Sequence, residues 1–221
     1  MLGSLVQGIS VVTTCYNERE TLPQLISTIR TVLHSTRHEV IVVDDTSPDG
    51  SIEVAKQFAD VAFSKKREGQ TKGLAAGMRS AKYETIVTID SDLENDPKWI
   101  LNLADKLTDF DMVVASRPEL PRISERVFSK VYSRRLGVRD ILSNYRAYRS
   151  QIIPLIAPTK GETFGAEFLI RASKAGLRVA EITVEASRRR KKPRIGNTLT
   201  ANLRIFAALI RTLVIDWQKT A

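Results

Sequence analysis

The stretch Thr85-Ile-Val-Thr-Ile-Asp-Ser-Asp-Leu-Glu-Asn95 decides the fold class. It begins as a β-branched apolar run, which predicts a buried strand, and it ends with acids at the alternate positions Asp90, Asp92 and Glu94. Alternate residues of an extended chain share a face, so the three carboxylates are expected to converge where the strand ends. Such oxygens suit Mg²⁺ or Mn²⁺, although a solvated acidic loop explains this string equally well when it is taken alone.

Strands and helices alternate around this stretch. Apolar runs predict further strands at 9–14, 39–43, 61–64 and 112–115, and helical periodicity predicts helices at 19–33, 52–58, 69–81 and 97–107. Short connections between such elements predict an α/β fold whose mostly parallel sheet is flanked by helices. Right-handed crossovers place the strand-end loops at one edge, where ligands bind in folds of this kind.

Acids and an aromatic side chain follow three of these strands. Two further pairs join the acids that follow residue 89: Tyr16 with Glu18, and Asp44 with Asp45. Three separate strands that deliver acids to one edge argue against simple solvation. The first strand-to-helix turn lacks the glycines of the dinucleotide and P-loop fingerprints, so a nicotinamide enzyme or P-loop ATPase is disfavoured.

The chemistry that remains is nucleotide binding without a glycine-rich cradle. Acids would contact base and ribose, and a metal held by Asp92 and Glu94 would neutralise a diphosphate and stabilise its departure. Lys72 adds a positive charge near the same edge, although a lone lysine is more often simply solvated.

Length and cysteine content narrow the class further. The 221 residues suffice for one α/β domain, and the single cysteine, Cys15, excludes an internal disulfide framework and fits a reducing compartment. Residues 1–8 lack a secretory signal, and the longest apolar run near the end, 205–210, is far shorter than the roughly 20 residues that span a bilayer. We expect a cytoplasmic protein that does not cross a membrane by itself.

Charge is distributed unevenly along the chain. Residues 1–110 carry 12 Lys/Arg and 16 Asp/Glu, whereas residues 111–221 carry 22 and 9, within a net charge of +9. A basic half of this kind favours an anionic partner such as a phosphorylated substrate, an anionic membrane surface or nucleic acid. Aromatic residues are sparse among the basic ones, which makes nucleic acid the least favoured of the three.

An ordered set of motifs covers residues 9–120. It consists of Thr13-Thr-Cys-Tyr-Asn-Glu18, Val42-Val-Asp-Asp-Thr-Ser-Pro-Asp49, Lys72-Gly-Leu74, Asp90-Ser-Asp-Leu-Glu94 and Ser116-Arg117. The set resembles that of GT-A fold glycosyltransferases of family 2, and most closely the polyprenyl-phosphate (dolichol-phosphate) mannosyl- and glucosyltransferases. The proline that precedes the family's tyrosine is replaced here, with Thr14 and Cys15 in its neighbourhood, and Glu94 stands where the subgroup often has glutamine.

The resemblance implies a role for each matching residue. The residues implied to contact the sugar nucleotide are Tyr16, Glu18, Asp44, Asp45, Lys72, Asp90 and Ser91. Asp92 and Glu94 are implied to ligate Mg²⁺ or Mn²⁺, so Asp92 belongs to the catalytic centre. The donor is expected to be GDP-mannose or UDP-glucose.

The second half follows the family more loosely. Asp140-Ile-Leu-Ser-Asn-Tyr-Arg146 resembles the D-x-x-S-G-F-R segment, with Asn144 and Tyr145 in place of Gly-Phe, and the lysine of a later G-x-S-K motif is missing. Asp140 is a candidate for orienting the acceptor or the donor, and we count it as catalytic. A lipid phosphate is already an anionic nucleophile near neutral pH, so its attack on the sugar needs no strong general base.

Basic residues of this half are candidates for binding the acceptor phosphate. Arg122, Arg126 and Lys130 recur every four residues on one helix face beside Ser129, although a solvated face is the usual explanation of such a stripe. The residues predicted to contact the acceptor phosphate are Arg117, Arg126, Ser129, Lys130 and Arg194.

The chain ends in a basic run followed by an amphipathic helix. Six of the seven residues 188–194 are basic, and a helix from about 198 to 219 carries apolar residues along one side, from Leu199 and Leu203 to Trp217. Core or partner packing is the commoner explanation of such a stripe, and docking on a membrane surface is the sharper one.

The sequence therefore predicts a single domain over 1–221, with a nucleotide-sugar and metal half at 9–120 and a basic half at 121–221 that faces acceptor and membrane. We expect metal-dependent, inverting transfer of a hexose to a polyprenyl phosphate at the cytoplasmic face of a membrane, with a membrane-anchoring protein as a further partner. The alternatives are a family 2 enzyme with a soluble or glycan acceptor, a nucleic-acid-binding protein, and an inactive relative that binds a partner.

Overall fold

A seven-stranded sheet forms the centre of the molecule. The computed structural model describes residues 8–159, 161–185 and 198–217. Its strands are β1 (Ile9–Cys15), β2 (His38–Asp44), β3 (Val61–Ser64), β4 (Thr85–Thr88), β5 (Met112–Ser116), β6 (Arg146–Arg149) and β7 (Val179–Thr183). They lie in the order β3-β2-β1-β4-β6-β5-β7, in which β6 is antiparallel to both neighbours and every other pair is parallel. The predicted α/β fold with a mostly parallel sheet is confirmed.

Helices cover both faces of this sheet. They are α1 (Leu22–Val32), α2 (Ser51–Phe58), α3 (Gln70–Arg79), α4 (Ile100–Lys106), α5 (Ile123–Leu136), α6 (Ile153–Ile156), α7 (Ala166–Lys174) and α8 (Thr198–Trp217), with short 3₁₀ turns at 97–99 and 150–152. Apolar side chains of α3, α5, α7 and α8 pack on one face, and those of α1, α2 and α4 pack on the other. Successive residues of β1 therefore serve different layers, with Val11 in the second and Val12 in the first.

The predicted stripe of α1 illustrates how sequence periodicity produces this packing. Leu22, Leu25, Ile26 and Ile29 are at most 1% exposed, as is Leu33 just beyond the helix. Full burial of such a side chain contributes about 2 kcal/mol from the hydrophobic effect. The helix begins at Leu22 instead of the predicted 19, since the intervening residues form a turn that positions the loop after β1.

β6 is the strand that the sequence pattern does not reveal. Its four residues begin and end with arginine, yet Arg146, Ala147 and Tyr148 are fully buried between β4 and β5. Two nitrogens of the Arg146 guanidinium form hydrogen bonds inside the protein, to the carbonyls of Gly165 (2.7 Å) and Ile141 (2.8 Å). Because β6 runs against its neighbours, its beginning lies at the edge where β4 and β5 end.

α8 narrows the explanations that the sequence left open for the apolar stripe of the last helix. Leu203, Ile210, Val214 and Trp217 are 60%, 64%, 45% and 90% exposed, so the stripe does not pack into the core. A different face is buried, with Ile205, Ala208, Leu209 and Ile215 in the first layer. The helix therefore has two apolar faces. The stripe that is apparent in the sequence is mainly the face that points outward. In the described ranges, no helix combines the length and apolarity needed to cross a bilayer.

Candidate active site

The loop after β4 is built by hydrogen bonds to neighbouring strands and helices. The buried Ser91 hydroxyl donates to the Thr14 carbonyl at 2.9 Å, which fixes the loop to the end of β1. Asp90 accepts hydrogen bonds from Gln70 at the start of α3 and from Asn95 (3.2 Å). Asp90 is thereby oriented, whereas the Ser91 side chain is turned to the backbone.

The two expected metal ligands stand on either side of a left-handed residue. Asp92 accepts a hydrogen bond from the backbone N–H of Glu94 at 3.1 Å, and Leu93 between them has a φ of +64°. The left-handed region is costly for a residue with a branched side chain. The turn that places Asp92 and Glu94 side by side is therefore held by the surrounding loop.

A cleft of about 200 Å³ collects these acids together with residues of the basic half. Asp90, Asp92 and Glu94 line it, and so do Arg117 and Arg122. Its remaining lining residues come from α3, α5, α8, the loop after β4 and the loops before β6 and α7, and they are Gln70, Asn95, Glu125, Leu142, Ser143, Asn144, Phe164 and Ile205. The structure therefore brings the predicted acids and one predicted phosphate-binding residue into a single site.

The acids of this cleft do not form a closed metal cage. Within the described ranges, no three His, Cys, Asp or Glu side chains are gathered closely enough to hold an ion. Mg²⁺ in phosphate-transfer sites is typically held by one or two carboxylates, with substrate phosphates and waters supplying the other oxygens. The pair Asp92 and Glu94 beside an open cleft fits that mode of binding.

Arg117 and Asp140 form a clamp at the other side of the acids. The Arg117 side chain donates to both carboxylate oxygens of Asp140, at 2.7 and 3.1 Å, and Glu125 lies 3.6 Å away. Burial alone lowers the pKa of an arginine, but the hydrogen bonds and charge of Asp140, with Glu125 behind them, raise the pKa of Arg117 above its ordinary value. Asp140 is 1% exposed and accepts hydrogen bonds from Arg117 on both oxygens, so it orients that side chain.

The acids after β2 organise loops. Asp44 is fully buried and accepts a hydrogen bond from the Ser47 backbone at 3.0 Å. Asp45 accepts from the backbone N–H groups of Glu68 (3.1 Å) and Gly69 (3.2 Å), and it is paired with the Lys65 ammonium. Asp44 thus fixes the loop that follows β2, and Asp45 fixes the connection from β3 to α3.

Three other predicted contacts of the sugar nucleotide lie at the same sheet edge or beside it, outside the cleft lining. The Arg67 guanidinium stands 4.0 Å above the Tyr16 ring, in cation–π contact. Glu18 is 2% exposed. Lys72 forms an exposed ion pair with Glu68 at 2.8 Å.

The candidate phosphate-binding residues of α5 line a second, open cavity. It has a volume of about 450 Å³ and includes Arg126, Ser129 and Lys130, together with residues 118–121 and Arg139. Arg126 donates to the Leu120 carbonyl at 2.9 Å, which holds the 118–121 loop against the helix. Arg122, from the same predicted stripe, lines the first cleft and pairs with Glu125. Arg194 and the basic run lie outside the described residues.

Several residues of the site were not among the site residues predicted from sequence. Gln70 and Glu125 stand in the first turns of α3 and α5. Polar and acidic residues are common there because they interact favourably with the helix N-terminus. Asn144 is 5% exposed and lines the cleft, and its side-chain oxygen lies 2.1 Å from where a Cβ on Gly165 would be. Arg139 lines the second cavity and precedes the predicted site residue Asp140, and this neighbour is the one sequence observation that points to Arg139.

Left-handed backbone recurs around the site. Among the described residues, four other than glycine have positive φ: Asn17 (58°), Thr46 (61°), Leu93 (64°) and Phe164 (50°). The first three follow β1, β2 and β4, and Phe164 lines the cleft before α7. Strained backbone of this kind tends to occur at functional sites.

Comparison with known proteins places the chain among sugar transferases. The family model described as glycosyl transferase family 2 matches residues 10–173. Undecaprenyl-phosphate 4-deoxy-4-formamido-L-arabinose transferases of Aeromonas hydrophila and Pseudomonas fluorescens are 32% and 30% identical in alignments of 167 and 179 residues, and these alignments cover 67% and 72% of this chain. The dolichol-phosphate mannosyltransferase of Pyrococcus furiosus is 32% identical over 115 residues, 49% of this chain and 33% of that protein.

The matched region is only part of those relatives. The aligned residues are 51% and 52% of the two bacterial transferases, so the chain spans about half their length. Among solved structures, glucosyl-3-phosphoglycerate synthase from Mycobacterium tuberculosis, in complex with Mn²⁺, uridine diphosphate and phosphoglyceric acid, has a TM-score of 0.76 at 21% identity, covering 93% of this chain and 78% of that one. At this identity the likeness is one of fold.

Proposed function

The chain belongs to glycosyltransferase family 2, and we propose that it transfers a hexose from a nucleoside diphosphate sugar to a polyprenyl phosphate. The observation that carries the proposal is the cleft that combines Asp90, Asp92 and Glu94 with Arg117. Relatives that align with about two thirds of this chain are named as undecaprenyl-phosphate sugar transferases, which supports a lipid phosphate as acceptor.

The donor is expected to lie with its diphosphate at the loop after β4. Asp92 and Glu94 would hold a divalent cation there, and Asp90, fixed by Gln70 and Asn95, lies beside it for contact with the nucleotide. When bound, the cation supplies Lewis-acid stabilisation of the leaving diphosphate. Structures of the same fold that contain uridine diphosphate with Mn²⁺ or Mg²⁺ support this choice of cofactor.

The residues that would receive the acceptor phosphate lie in the first cleft, with Arg117, and in the open cavity lined by Arg126, Ser129 and Lys130. Arg117 is held in place by Asp140 and keeps its positive charge. The cavity with Arg126, Ser129 and Lys130 is also lined by Pro118, the residue that follows Arg117. Charge-assisted hydrogen bonds from arginine to phosphate are strong and directional. Asp140 acts as a positioning residue in this scheme, because both of its oxygens are occupied by Arg117.

The proposed sugar transfer needs no side chain that acts as a general base. An anionic oxygen of the acceptor phosphate attacks the anomeric carbon from the side opposite the diphosphate, the bond from that carbon to the diphosphate oxygen breaks, and the nucleoside diphosphate leaves with the electron pair. A single displacement of this kind inverts the anomeric configuration. No proton has to be removed from the nucleophile, because the lipid phosphate is ionised at neutral pH.

The test uses purified protein with radiolabelled GDP-mannose or UDP-glucose, Mn²⁺ and dolichyl or undecaprenyl phosphate. We expect label that is extracted into organic solvent, and its loss by at least about 100-fold in Asp92→Asn, since the metal site then lacks one carboxylate. Asp109→Asn is the matched control, because Asp109 is an exposed acid that does not line the cleft. Label that stays entirely in the aqueous phase, with the lipid phosphates present and the protein folded, would count against a polyprenyl phosphate acceptor, and retained activity of Asp92→Asn would remove its role at the metal.

A further inference from the structure

The outward side of α8 presents a continuous apolar stripe to solvent. We call it the α8 outer face and define it as Leu203, Ala207, Ile210, Val214 and Trp217, all of which are exposed. Their spacing of four, three, four and three residues places them on one side of a helix. Exposures from 45% to 90% at Leu203, Ile210, Val214 and Trp217 make this a surface that folding leaves uncovered. Contiguous exposed apolar surfaces on soluble proteins mark sites of interaction.

The helix is firmly seated by its opposite side, so the exposure does not result from poor packing. Ile205 and Ile215 are 2% and 4% exposed in the core. Near the first turns Asn202 accepts hydrogen bonds from Ser124 at 2.6 and 3.2 Å, and near the last turn Asp216 is paired with Arg135. α8 is therefore held at both ends against α5.

The charges beside the outer face are positive. Arg204 and Arg211 are both exposed and stand seven residues apart on the flank of the stripe. Arg211 is oriented by a hydrogen bond of 3.0 Å to the Glu162 carbonyl. Among the described residues of α8 the one acid is Asp216, and it is paired with Arg135. A surface that binds here must be apolar and negatively charged.

We propose that the α8 outer face docks in the plane of an anionic lipid surface. An apolar stripe flanked by arginines is the arrangement of interfacial helices, and each cation near an anionic leaflet contributes about 1 kcal/mol. Trp217, at the end of the stripe, is a residue type that concentrates at the boundary between lipid and water. A second copy of the chain fits less well, because pairing the two outer faces would bring the arginines of both together at a net charge of +9 for each chain.

This docking would bring the cleft close to the lipid surface. Ile205 lines the cleft from the inner side of α8, while Leu203 and Ile210 belong to the outer face. The cleft is thus separated from the bound surface by about one helix diameter, roughly 10–12 Å. This step rests on the proposed function: a polyprenyl phosphate anchored in the same surface would need to reach only that far.

The experiment measures docking without donor or acceptor. In a Trp99→Phe background Trp217 is the single tryptophan, and its emission is followed as vesicles of phosphatidylcholine, with or without 30% phosphatidylglycerol, are added. We expect a blue shift with the anionic vesicles and at least a tenfold weakening of binding in Leu203→Ser with Ile210→Ser. Arg204→Gln should weaken binding about fivefold and lower its salt dependence. Phe58→Ser and Leu155→Ser, at exposed apolar positions on α2 and α6, are matched controls and should bind normally.

Two results would overturn the proposal. Unchanged vesicle binding of the Leu203→Ser, Ile210→Ser variant would assign docking to another part of the chain, such as the basic run 188–194. Concentration-dependent dimers that Ile210→Ser abolishes, without vesicle binding, would assign the outer face to a second copy. Circular dichroism and the urea midpoint confirm that the variants fold. Because the assay contains no substrate, α8-dependent docking without transferase activity would reject only the proposed function.

Discussion

Arg117 and Asp140 show how a single buried pair supports the site. Their two hydrogen bonds lie at the rim of the cleft, with the Arg117 side chain 24% exposed and that of Asp140 1% exposed. Breaking a buried pair from one side leaves an uncompensated charge, which is more costly than the pair is worth. Arg117 therefore depends on Asp140 for its position and for the low cost of its burial.

We expect Asp140→Asn to destabilise the protein by about 2 kcal/mol, less than the full cost of a buried pair because Arg117 is partly solvated. Urea unfolding at pH 7 measures this change, and Asp109→Asn, at an exposed position, should shift the midpoint little. If Arg117 acts on the acceptor phosphate, Asp140→Asn should also raise the KM for the lipid more than it lowers kcat. A midpoint equal to that of the wild type would contradict the clamp.

Asp49 gives a stability contribution that depends on pH. Burial alone would raise the pKa of its carboxyl, but hydrogen bonds from the Ser51 hydroxyl and from the backbone N–H groups of Arg19 and Ser51 outweigh it, so the pKa lies below its ordinary value. A carboxyl whose pKa is lowered by folding stabilises the protein above its unfolded pKa, about 3.9, and the contribution is lost as the pH falls through the folded value.

Asp49→Asn should therefore cost about 1 kcal/mol at pH 7, and the difference from the wild type should shrink toward pH 3. Urea unfolding of both proteins at pH 7, 5 and 3 measures this. A difference that stays constant over the whole range would show that the charge of Asp49 contributes nothing to stability.

At the scale of elements, the start of α7 is fitted to the loop before β6. Gly165 has a φ of +78°, and a Cβ there would lie 2.1 Å from the Asn144 side-chain oxygen. Gly137, at the end of α5, has a similar φ of +67° but no atom within 4 Å of the added Cβ. The two glycines share the backbone requirement and differ only in the neighbouring side chain.

Alanine at each glycine separates these two effects. Gly137→Ala should cost about 1 kcal/mol for left-handed backbone alone. Gly165→Ala should cost a further 1–3 kcal/mol, because Asn144 has to move and the cleft with it. Thermal or urea unfolding gives the difference, and equal costs would show that Asn144 yields freely.

Elements also show why sequence predicted part of this fold and not all of it. The parallel strands β1, β2 and β4 are continuous apolar runs with short connections, and that pattern has few other solutions. β6 was missed because arginines at both ends make its sequence polar, although internal carbonyls accept hydrogen bonds from two nitrogens of the buried Arg146. The rule that ligands gather where strands end also does not apply to an antiparallel strand, whose beginning brings Asn144 to the site.

On the scale of the whole molecule, burial is concentrated in the middle of the sheet. Every residue of β1 is buried, and β1 pairs with strands on both sides. β3 and β7 lie at the edges, and most of their residues are partly exposed. The opening free energy should therefore fall from the centre outward.

Hydrogen exchange followed by mass spectrometry tests this order. Amides of β1 and β2 should exchange at the rate set by global unfolding, while those of β3 and β7 should exchange faster by local opening. β3 amides that exchange as slowly as those of β1 would contradict it.

The candidate site was predicted unevenly for a physical reason. The acids after β4 were placed correctly at the edge of the sheet, and three of them line the cleft. Asp44 and Asp45 lie at the carboxyl end of β2 as expected, yet they accept hydrogen bonds from loop amides. Sequence shows that a carboxylate reaches an edge, but whether it faces a ligand or the backbone depends on loop geometry that forms only in the fold.

The left-handed residues of the site loops have a consequence for mutational scanning. At Asn17, Thr46, Leu93 and Phe164 the backbone conformation itself resists most side chains, so the phenotype of a substitution there combines altered backbone preference with altered chemistry. Alanine alone confounds the two. Scanning each position with both alanine and glycine would separate them, since glycine relieves the conformational restriction while removing the same side chain.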